Sequence, residues 1–514
     1  MSQVPAHPVQ LWRQHRGWLL LFMALFLATH GQEVMNPTLN VDDWALVLDP
    51  IHQASLSRPG WDLIYGGLFQ GSFSPSVGWL LAGLSIYASA LAASVVLPVL
   101  TPPWVCLLAL ITASHAYLLD LLNFSFCIGL YLLPAPLSLG GALLMGYWRG
   151  PQRPLAWGVG VALFAFAMAI YQPTGVVGLG VVGLEALALA FGLGARPPRA
   201  GWRVLGGVLA GGGAYALWAR LMMAGQVANE RTGLVTMARL LRKLRKASVF
   251  QEVYSTDVPL VPHLPQLVLS LSFLGLLVLA TVWLGRQLQG RERRRRLALL
   301  WLGAGALTLL PFALYFLLKS GFPSRAFALG NFGIGAVMVT ILASWQASPA
   351  PGSRGGSRAA GRWSRAVVVG LALVVLLPQA MAFSKVWDRQ ALLAQRDQAL
   401  AMQILADVHG LARAEGLPTQ RFVVYGSTGR TELFPHWSSV GQSALGESWA
   451  IKGLFANLLG VEVEHRSPKD LAGAATLPAC AAYPEPGSLR PLADRVLVCL
   501  EAHPAGSSGE RSPG

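Results

Sequence analysis

Charged residues are scarce in this chain. They make up 12% of its 514 residues, while 54% are hydrophobic and the mean hydropathy is +0.50. Soluble globular proteins carry about 25% charged residues. The deficit excludes an ordinary soluble protein, and long apolar runs predict a mainly helical, polytopic membrane protein.

Signatures of several enzyme classes are also absent. The sequence has no GxxxxGK[ST], CxxC or HExxH motif, so an ATP-driven pump and a zinc protease are unsupported. GLGVVG at 178–183 lies inside an apolar run with no strand before it, which favours close helix packing over dinucleotide binding. The formal net charge of +15 comes mainly from arginines in short loops, so membrane topology accounts for it and we expect no nucleic-acid partner.

Only four cysteines occur. Cys106 and Cys127 fall in apolar runs and are typical of membrane packing. Cys480 and Cys499 fall in a polar C-terminal region, and we expect them to form a disulfide if that region lies outside the cytoplasm.

Hydropathy predicts about eleven transmembrane helices. They lie near 17–31, 77–99, 103–120, 122–146, 155–173, 175–193, 204–224, 264–285, 297–317, 328–345 and 366–384. The N-terminus resembles a signal peptide, but no clear small-residue cleavage site follows, so we expect an uncleaved first helix.

Basic residues alternate between the connections. Clusters at 13–16, 149–153, 196–203, 286–296 and 354–365 occupy the connections on one side, which predicts a cytoplasmic N-terminus. Almost all acids before residue 385 fall on the other side. Three outer loops result, at 32–76, 225–263 and 319–327, and their acids suggest that the chemistry takes place there.

The loop at 225–263 breaks the trend because it contains MARLLRKLRK, a basic amphipathic stretch. Two interpretations stay open, an interfacial helix that touches anionic head groups and a solvated basic helix.

After residue 384 the chain becomes polar. We expect a small extracytoplasmic α/β domain over 385–504, with an amphipathic helix at 388–415 and strands at 421–427 and 495–500. The end, 505–514, is typical of a disordered tail.

Asp42 and Asp43 are adjacent carboxylates in the first outer loop. One can act as a general base on a sugar hydroxyl, with Asp43 preferred. Together they can hold a divalent cation, or they can cap a short helix that begins at Trp44. No metal is firmly implied.

Cations and polar groups in the outer connections complete the candidate set. Arg58, Arg325 and Lys319 are candidates for phosphate binding, although the last two can instead anchor the next helix at the interface. The substrate-binding candidates are Asp62, Asp120, Tyr171 and Gln172. Asp120 would end the third span, where the helix dipole disfavours an acid, and the Tyr171–Gln172 pair can equally be a turn.

Several short segments resemble one known family. VDDW at 41–44, SRPGWDLIY at 57–65, LLNFSF at 121–126, AIYQPT at 169–174, GFPSR at 321–325 and the C-terminal LPACAAYPEPGSLRPLADRVLVCLE resemble the serotype-converting O-antigen glucosyltransferase II family. Ser57 replaces the glycine that often precedes the arginine in that family. The likeness is spread over most of the chain.

The resemblance implies a GT-C-like membrane domain over 1–384 and an inverting hexosyltransferase. It implies a polyprenyl-phosphate sugar donor, with glucose as the expected sugar, and a lipid-linked or surface glycan acceptor such as O-antigen. It also implies a site on the periplasmic face of the bacterial inner membrane, in contact with membrane lipids. The alternative is a secondary transporter or flippase of lipid-linked sugars, which predicts more polar residues at mid-membrane.

Overall fold

The computed structural model describes most of the helical chain and the C-terminal region. The described residues are 8–40, 43–44, 58–71, 74–125, 127–193, 200–222, 235–245, 250, 253–254, 261, 263–317, 324–347, 366, 370, 377–418, 421–428, 440–466, 477–492 and 494–503. They form two compact units. The first is Met1–Met35, His52–Leu122 and Cys127–Lys385, and the second is Asn36–Ile51, Asn123–Phe126 and Val386–Gly514.

The first unit is helical. Its helices are α1 Pro8–Thr29, α2 Gly31–Met35, α3 Pro59–Asp62, α4 Pro75–Val96, α5 Pro102–Ala113, α6 Tyr117–Leu122, α7 Ile128–Leu132, α8 Pro134–Tyr147, α9 Arg153–Ile170, α10 Gln172–Gly175, α11 Gly180–Ala190, α12 Ala200–Met222, α13 Met237–Arg245, α14 His263–Gln287, α15 Gly290–Leu309, α16 Ala313–Leu317 and α17 Gly330–Ala347. A π-helical segment, Leu63–Leu68, extends α3, and 3₁₀ turns occur at Val176–Leu179, Leu310–Phe312 and Ser324–Phe327.

Eight stretches of the described chain are long and apolar enough to cross a membrane. They are Pro75–Val96, Gly129–Tyr147, Arg153–Ile170, Gln172–Ala190, Ala200–Met222, Leu264–Gln287, Gly290–Leu317 and Arg325–Ala347. Each corresponds to one of the eleven predicted spans. The protein is therefore a multi-pass membrane protein, as the charge deficit predicts.

Three predicted spans differ. The helix in the predicted span at 103–120 is shorter than expected, because α5 ends at Ala113 and its 12 residues reach only about 18 Å of a hydrocarbon core of about 30 Å. Asp120 consequently lies in the short helix α6 and does not end a long span. The first predicted span corresponds to α1. This helix carries Arg13 and Arg16 in its first half, and it is not among the eight candidate spans. Most of the predicted span at 366–384 lies outside the described residues.

The second unit contains a small mixed sheet. Its strands are β1 Arg421–Tyr425, β2 Glu462–Arg466, β3 Leu489–Pro491 and β4 Val496–Cys499, in the order β2-β1-β4-β3. β1 pairs in parallel with β2 and β4, and β3 is antiparallel to β4. The two predicted strands are confirmed as β1 and β4, and the sheet confirms the α/β character of this region.

Two helices accompany the sheet, α18 Leu377–Ala414 and α19 Ser448–Leu459. The predicted amphipathic stripe is confirmed, since Ile404 and Val408 are buried in the core of the unit and Leu400 and Leu411 pack against it.

Trp44 belongs to this same core. Its carbonyl lies so close to Gly453 in α19 that a Cβ at that position would overlap it. A glycine is therefore required there for Trp44 to pack into the core of the unit.

The disulfide between Cys480 and Cys499 is present. Cys499 ends β4, and Cys480 forms an isolated antiparallel β-bridge with His503. Such a bond is consistent with an extracytoplasmic second unit.

Asp397 lies among polar partners in the second unit. Its two carboxylate oxygens accept hydrogen bonds from the Ser443 hydroxyl at 2.7 Å and from the Ala444 amide at 2.6 Å. Burial raises the pKa of Asp397, and these two hydrogen bonds offset part of the rise.

We expect the double substitution Cys480→Ser/Cys499→Ser to lower the free energy of unfolding of the second unit by about 3 kcal/mol, because the bond closes a loop of about 20 residues in the unfolded chain. Chemical unfolding followed by tryptophan fluorescence measures the loss. Cys106→Ser serves as a control that leaves the bond intact. Unchanged unfolding of the double variant would contradict this expectation.

We expect Asp397 to make the second unit less stable as pH rises. A carboxyl whose pKa is higher in the folded state binds its proton more tightly there. Its contribution is therefore fully present below the unfolded pKa, about 3.9, and is lost as pH passes through the folded pKa. Asp397→Asn should flatten this part of the pH profile of unfolding, whereas the exposed Asp388→Asn should not. Parallel pH profiles of unfolding for wild type and Asp397→Asn would contradict the expected contribution of Asp397.

Candidate functional site

A stacked tyrosine pair lies inside the first unit. Tyr131 belongs to α7, and Tyr171 separates α9 from α10. Their ring centroids are 4.4 Å apart, with an angle of 26° between the planes, and both residues are buried. The Thr174 hydroxyl donates to the Tyr131 carbonyl at 2.6 Å and so holds α7 against α10. The pair therefore presents two phenol groups in a fixed position.

Arg58 reaches this pair from the start of α3. Its guanidinium carbon lies 4.9 Å from the Tyr171 centroid and 5.5 Å from the Tyr131 centroid, and its Nη1 donates to the Tyr131 hydroxyl at 3.2 Å. Gly60 makes the approach feasible, because a Cβ there would lie 3.0 Å from the Ala169 backbone in α9. A cation over aromatic faces is stabilised by up to about 2 kcal/mol when it is desolvated.

Arg325 reaches the same pair from another direction. Its guanidinium lies near the Tyr171 phenol, and its backbone amide donates to the Asp120 carboxylate at 3.0 Å. Asp120 is fully buried in α6. The buried acid therefore positions the 3₁₀ turn that carries Arg325.

Gln172 makes a further polar contact next to Tyr171. Its side-chain amide donates to the Tyr215 hydroxyl in α12 at 2.6 Å. This bond ties the start of α10 to α12, beside the stacked pair.

These residues form what we call the arginine–tyrosine cluster: Arg58, Asp120, Tyr131, Tyr171, Gln172, Tyr215 and Arg325. Two guanidinium groups converge on one phenol, Tyr171, and like charges at close range repel each other. Asp120 supplies part of the compensating charge. A phosphate can supply more, because guanidinium groups bind its oxygens bidentately and phenol hydroxyls donate to them.

Five predicted residues therefore come together: Arg58, Arg325, Asp120, Tyr171 and Gln172. Asp62 lies at the end of α3, one turn after Arg58, and its amide donates to the Arg58 carbonyl at 3.4 Å. Asp42 and Lys319 lie outside the described residues.

Tyr131 and Tyr215 were missed by the sequence analysis. Each is a tyrosine within a predicted span, where its hydroxyl needs a hydrogen-bond partner. That requirement is the signal that would have identified them.

Asp43 lies in the second unit and is fully buried. Its Oδ2 accepts from the backbone amides of Asn40 at 3.1 Å and Ser125 at 3.0 Å, and its own amide donates to the Asn40 side chain at 2.8 Å. The reciprocal bonds between Asn40 and Asp43 have the form of a helix capping box. The Asn40 side chain also donates to the Asn123 carbonyl at 2.8 Å, so the pair joins two distant stretches of sequence.

The predicted alternative, in which the Asp42–Asp43 pair caps a helix, therefore gains support at Asp43. The residue at the N-cap position is Asn40, and Asp43 is its partner in the capping box. The described residues contain no group of three or more His, Cys, Asp or Glu side chains that could hold a metal ion. A divalent cation at Asp42 and Asp43 stays a prediction.

Comparisons with family models, with curated proteins and with solved structures find no match to this chain.

We expect Asn40→Ala to lower the free energy of unfolding of the second unit by about 1 kcal/mol, because it removes a capping oxygen. Asp43→Ala should cost about 1–3 kcal/mol, since two buried amides lose an acceptor. Asp43→Asn retains one side-chain oxygen and should cost less than Asp43→Ala. Chemical unfolding compares the variants with exposed Asp388→Ala, and equal stabilities for Asp43→Ala and this control would refute the structural role.

Proposed function

We propose that the protein is an inverting membrane glycosyltransferase that uses a polyprenyl-phosphate sugar donor. The observation that carries the proposal is the convergence of Arg58 and Arg325 on Tyr171 within a bundle of apolar helices. This arrangement suits a phosphate attached to an apolar chain, because the cations bind the head and the spans accommodate the prenyl tail. The acceptor is a cell-surface glycan such as O-antigen, and the sugar is a hexose, with glucose the first candidate.

The proposed reaction has one displacement step. The acceptor hydroxyl oxygen attacks the anomeric carbon and forms the new glycosidic bond while the bond from that carbon to the phosphate oxygen breaks. The polyprenyl phosphate leaves with the bonding electron pair, and a carboxylate takes the hydroxyl proton. Attack opposite the leaving group inverts the anomeric configuration.

Roles follow from the chemistry of each group. Arg58 and Arg325 stabilise the charge that develops on the leaving phosphate. The tyrosine hydroxyls orient that phosphate, and Gln172 and Asp62 are candidates for contacts with the sugar. Asp42 or Asp43 is the candidate general base. We place the reaction on the periplasmic side of the inner membrane, where the positive-inside pattern puts the acidic loops.

A flippase or secondary transporter of lipid-linked sugars is the second candidate. The arginine–tyrosine cluster is compatible with any protein that binds a lipid phosphate, so it does not distinguish the enzyme from the transporter. Consumption of the donor separates them, since a transporter leaves the sugar–phosphate bond intact.

We expect Arg58→Gln and Arg325→Gln each to lower donor turnover by about 10²–10³-fold, the usual cost of removing one group that stabilises developing charge. Arg58→Lys should restore only part of the rate, because an ammonium cannot bind phosphate in a fork. The assay uses purified protein with radiolabelled polyprenyl-phosphate glucose and an O-antigen acceptor.

The exposed Arg220→Gln removes the same charge from the end of α12 and should retain full turnover. Wild-type turnover in both Arg58→Gln and Arg325→Gln would contradict the proposed phosphate site. Asp42→Asn and Asp43→Asn, assayed alongside, identify the carboxylate. If wild type consumes no lipid-linked sugar with any acceptor, the transporter function is favoured.

A further inference from the structure

The basic helix α13, Met237–Arg245, buries none of its residues against the rest of the protein. Four of these residues are cationic: Arg239, Arg242, Lys243 and Arg245. At 100° per residue, Met237, Leu240, Leu241 and Leu244 fall within one arc and the four cations fall on the remaining circumference. The helix therefore has an apolar face and a cationic face.

One edge of α13 is attached to the end of a span. The Lys243 ammonium donates to the Tyr315 carbonyl at 2.6 Å and lies 4.5 Å from the Tyr315 ring centroid. Just before the helix, the Val235 amide donates to the Leu317 carbonyl at 2.9 Å. Because Gly290–Leu317 is a candidate span, these bonds hold α13 at one end of a membrane-crossing segment.

Most of the remaining surface of α13 is exposed. Met237, Leu241 and Leu244 are 70%, 50% and 52% exposed, so the attachment through Lys243 does not cover the apolar face. Arg242 and Arg245 lie beyond Leu241 around the helix, and both are exposed. Leucines flanked by arginines at the end of a span match a bilayer interface, where acyl chains meet anionic head groups.

The side of the membrane makes these cations unusual. The opposite end of the same span begins with the arginine cluster of α15, at 291 and 293–296, which the positive-inside rule assigns to the cytoplasm. The cations of α13 therefore lie at the outer end of the span, where the positive-inside rule does not predict basic residues. Anionic lipid head groups would supply an attraction for these cations.

We propose that α13 is an anionic-phospholipid docking helix, held to the protein by Lys243 and Tyr315, with Leu241 and Leu244 inserted among acyl chains and Arg242 and Arg245 paired with lipid phosphates. The proposal rests on the contacts of α13 and does not depend on the proposed enzymatic function. Its occupant is the outer leaflet of the bilayer that surrounds the protein.

The test uses full-length protein with one bimane probe, reconstituted in phosphatidylcholine or in an equimolar mixture with phosphatidylglycerol. The probe is attached at Leu241→Cys on the apolar face or at Ala238→Cys on the cationic face, and wild type measures background labelling. Quenching by nitroxide-labelled lipid reports insertion, and quenching by aqueous iodide reports exposure to water.

We expect the probe at position 241 to be quenched by the nitroxide lipid in the anionic bilayer much more than in the neutral one. The probe at position 238 should stay accessible to iodide in both. Arg242→Gln/Arg245→Gln, made with the probe at position 241, should weaken partition into the anionic bilayer by about 25-fold, because each cation contributes about fivefold. Arg291→Gln/Arg294→Gln removes two arginines from the other end of the span and should leave the quenching unchanged.

Two results would overturn the proposal. In one, the probe at position 241 stays open to iodide in the anionic bilayer, as for a solvated helix or one that awaits a soluble partner. In the other, insertion is equal in both bilayers and insensitive to Arg242→Gln/Arg245→Gln, which would make the contact purely apolar.

Discussion

Two guanidinium groups converge on one buried phenol in the first unit, and the proposed site depends on this interaction. Arg58 and Arg325 come from segments more than 250 residues apart, and both reach Tyr171. Several local features bring them there, including the close approach of Gly60 to α9 and the Asp120 carboxylate that binds the turn at Arg325. The proposed ligand, a phosphate on an apolar chain, would add negative charge beside these two arginines, where like charges at close range repel each other.

The second unit satisfies its buried acids in a different way. Asp43 accepts two backbone amides, and Asp397 accepts one backbone amide and one hydroxyl, so each carboxylate connects separate stretches of sequence and is part of the packing. The role of Asp43 as general base stays a prediction, and a substitution that removes the acceptor would perturb the packing whether or not that role holds. Variants that keep a side-chain oxygen at position 43 are therefore essential to any interpretation of activity.

Much of the fold could be predicted because a chain in lipid must satisfy its backbone within each helix, which makes apolar length a strong signal. The end of α5 at Ala113 was not predicted because the apolar composition continues through an interruption at Ser114 and His115. β2 was missed because it carries two glutamates and forms only by pairing with distant β1. Arg58 and Arg325 were predicted from residue type and topology. The need of the Tyr131 hydroxyl for a partner inside a span was a signal in the sequence, but the identity of that partner depends on tertiary contact. The packing of Trp44 against residues some 400 positions later in the chain has no local signal.

Equilibrium binding of a sugar-free polyprenyl phosphate, compared with the corresponding polyprenol, tests the central claim most directly, because the two lipids differ only in the phosphate. Purified protein should bind the phosphate far more tightly than the alcohol, and Arg58→Gln/Arg325→Gln should abolish that preference while leaving the weak binding of the alcohol unchanged. Equal affinity for the two lipids in wild type, or a preference that survives in the double variant, would contradict the assignment of the arginine–tyrosine cluster as a lipid-phosphate site.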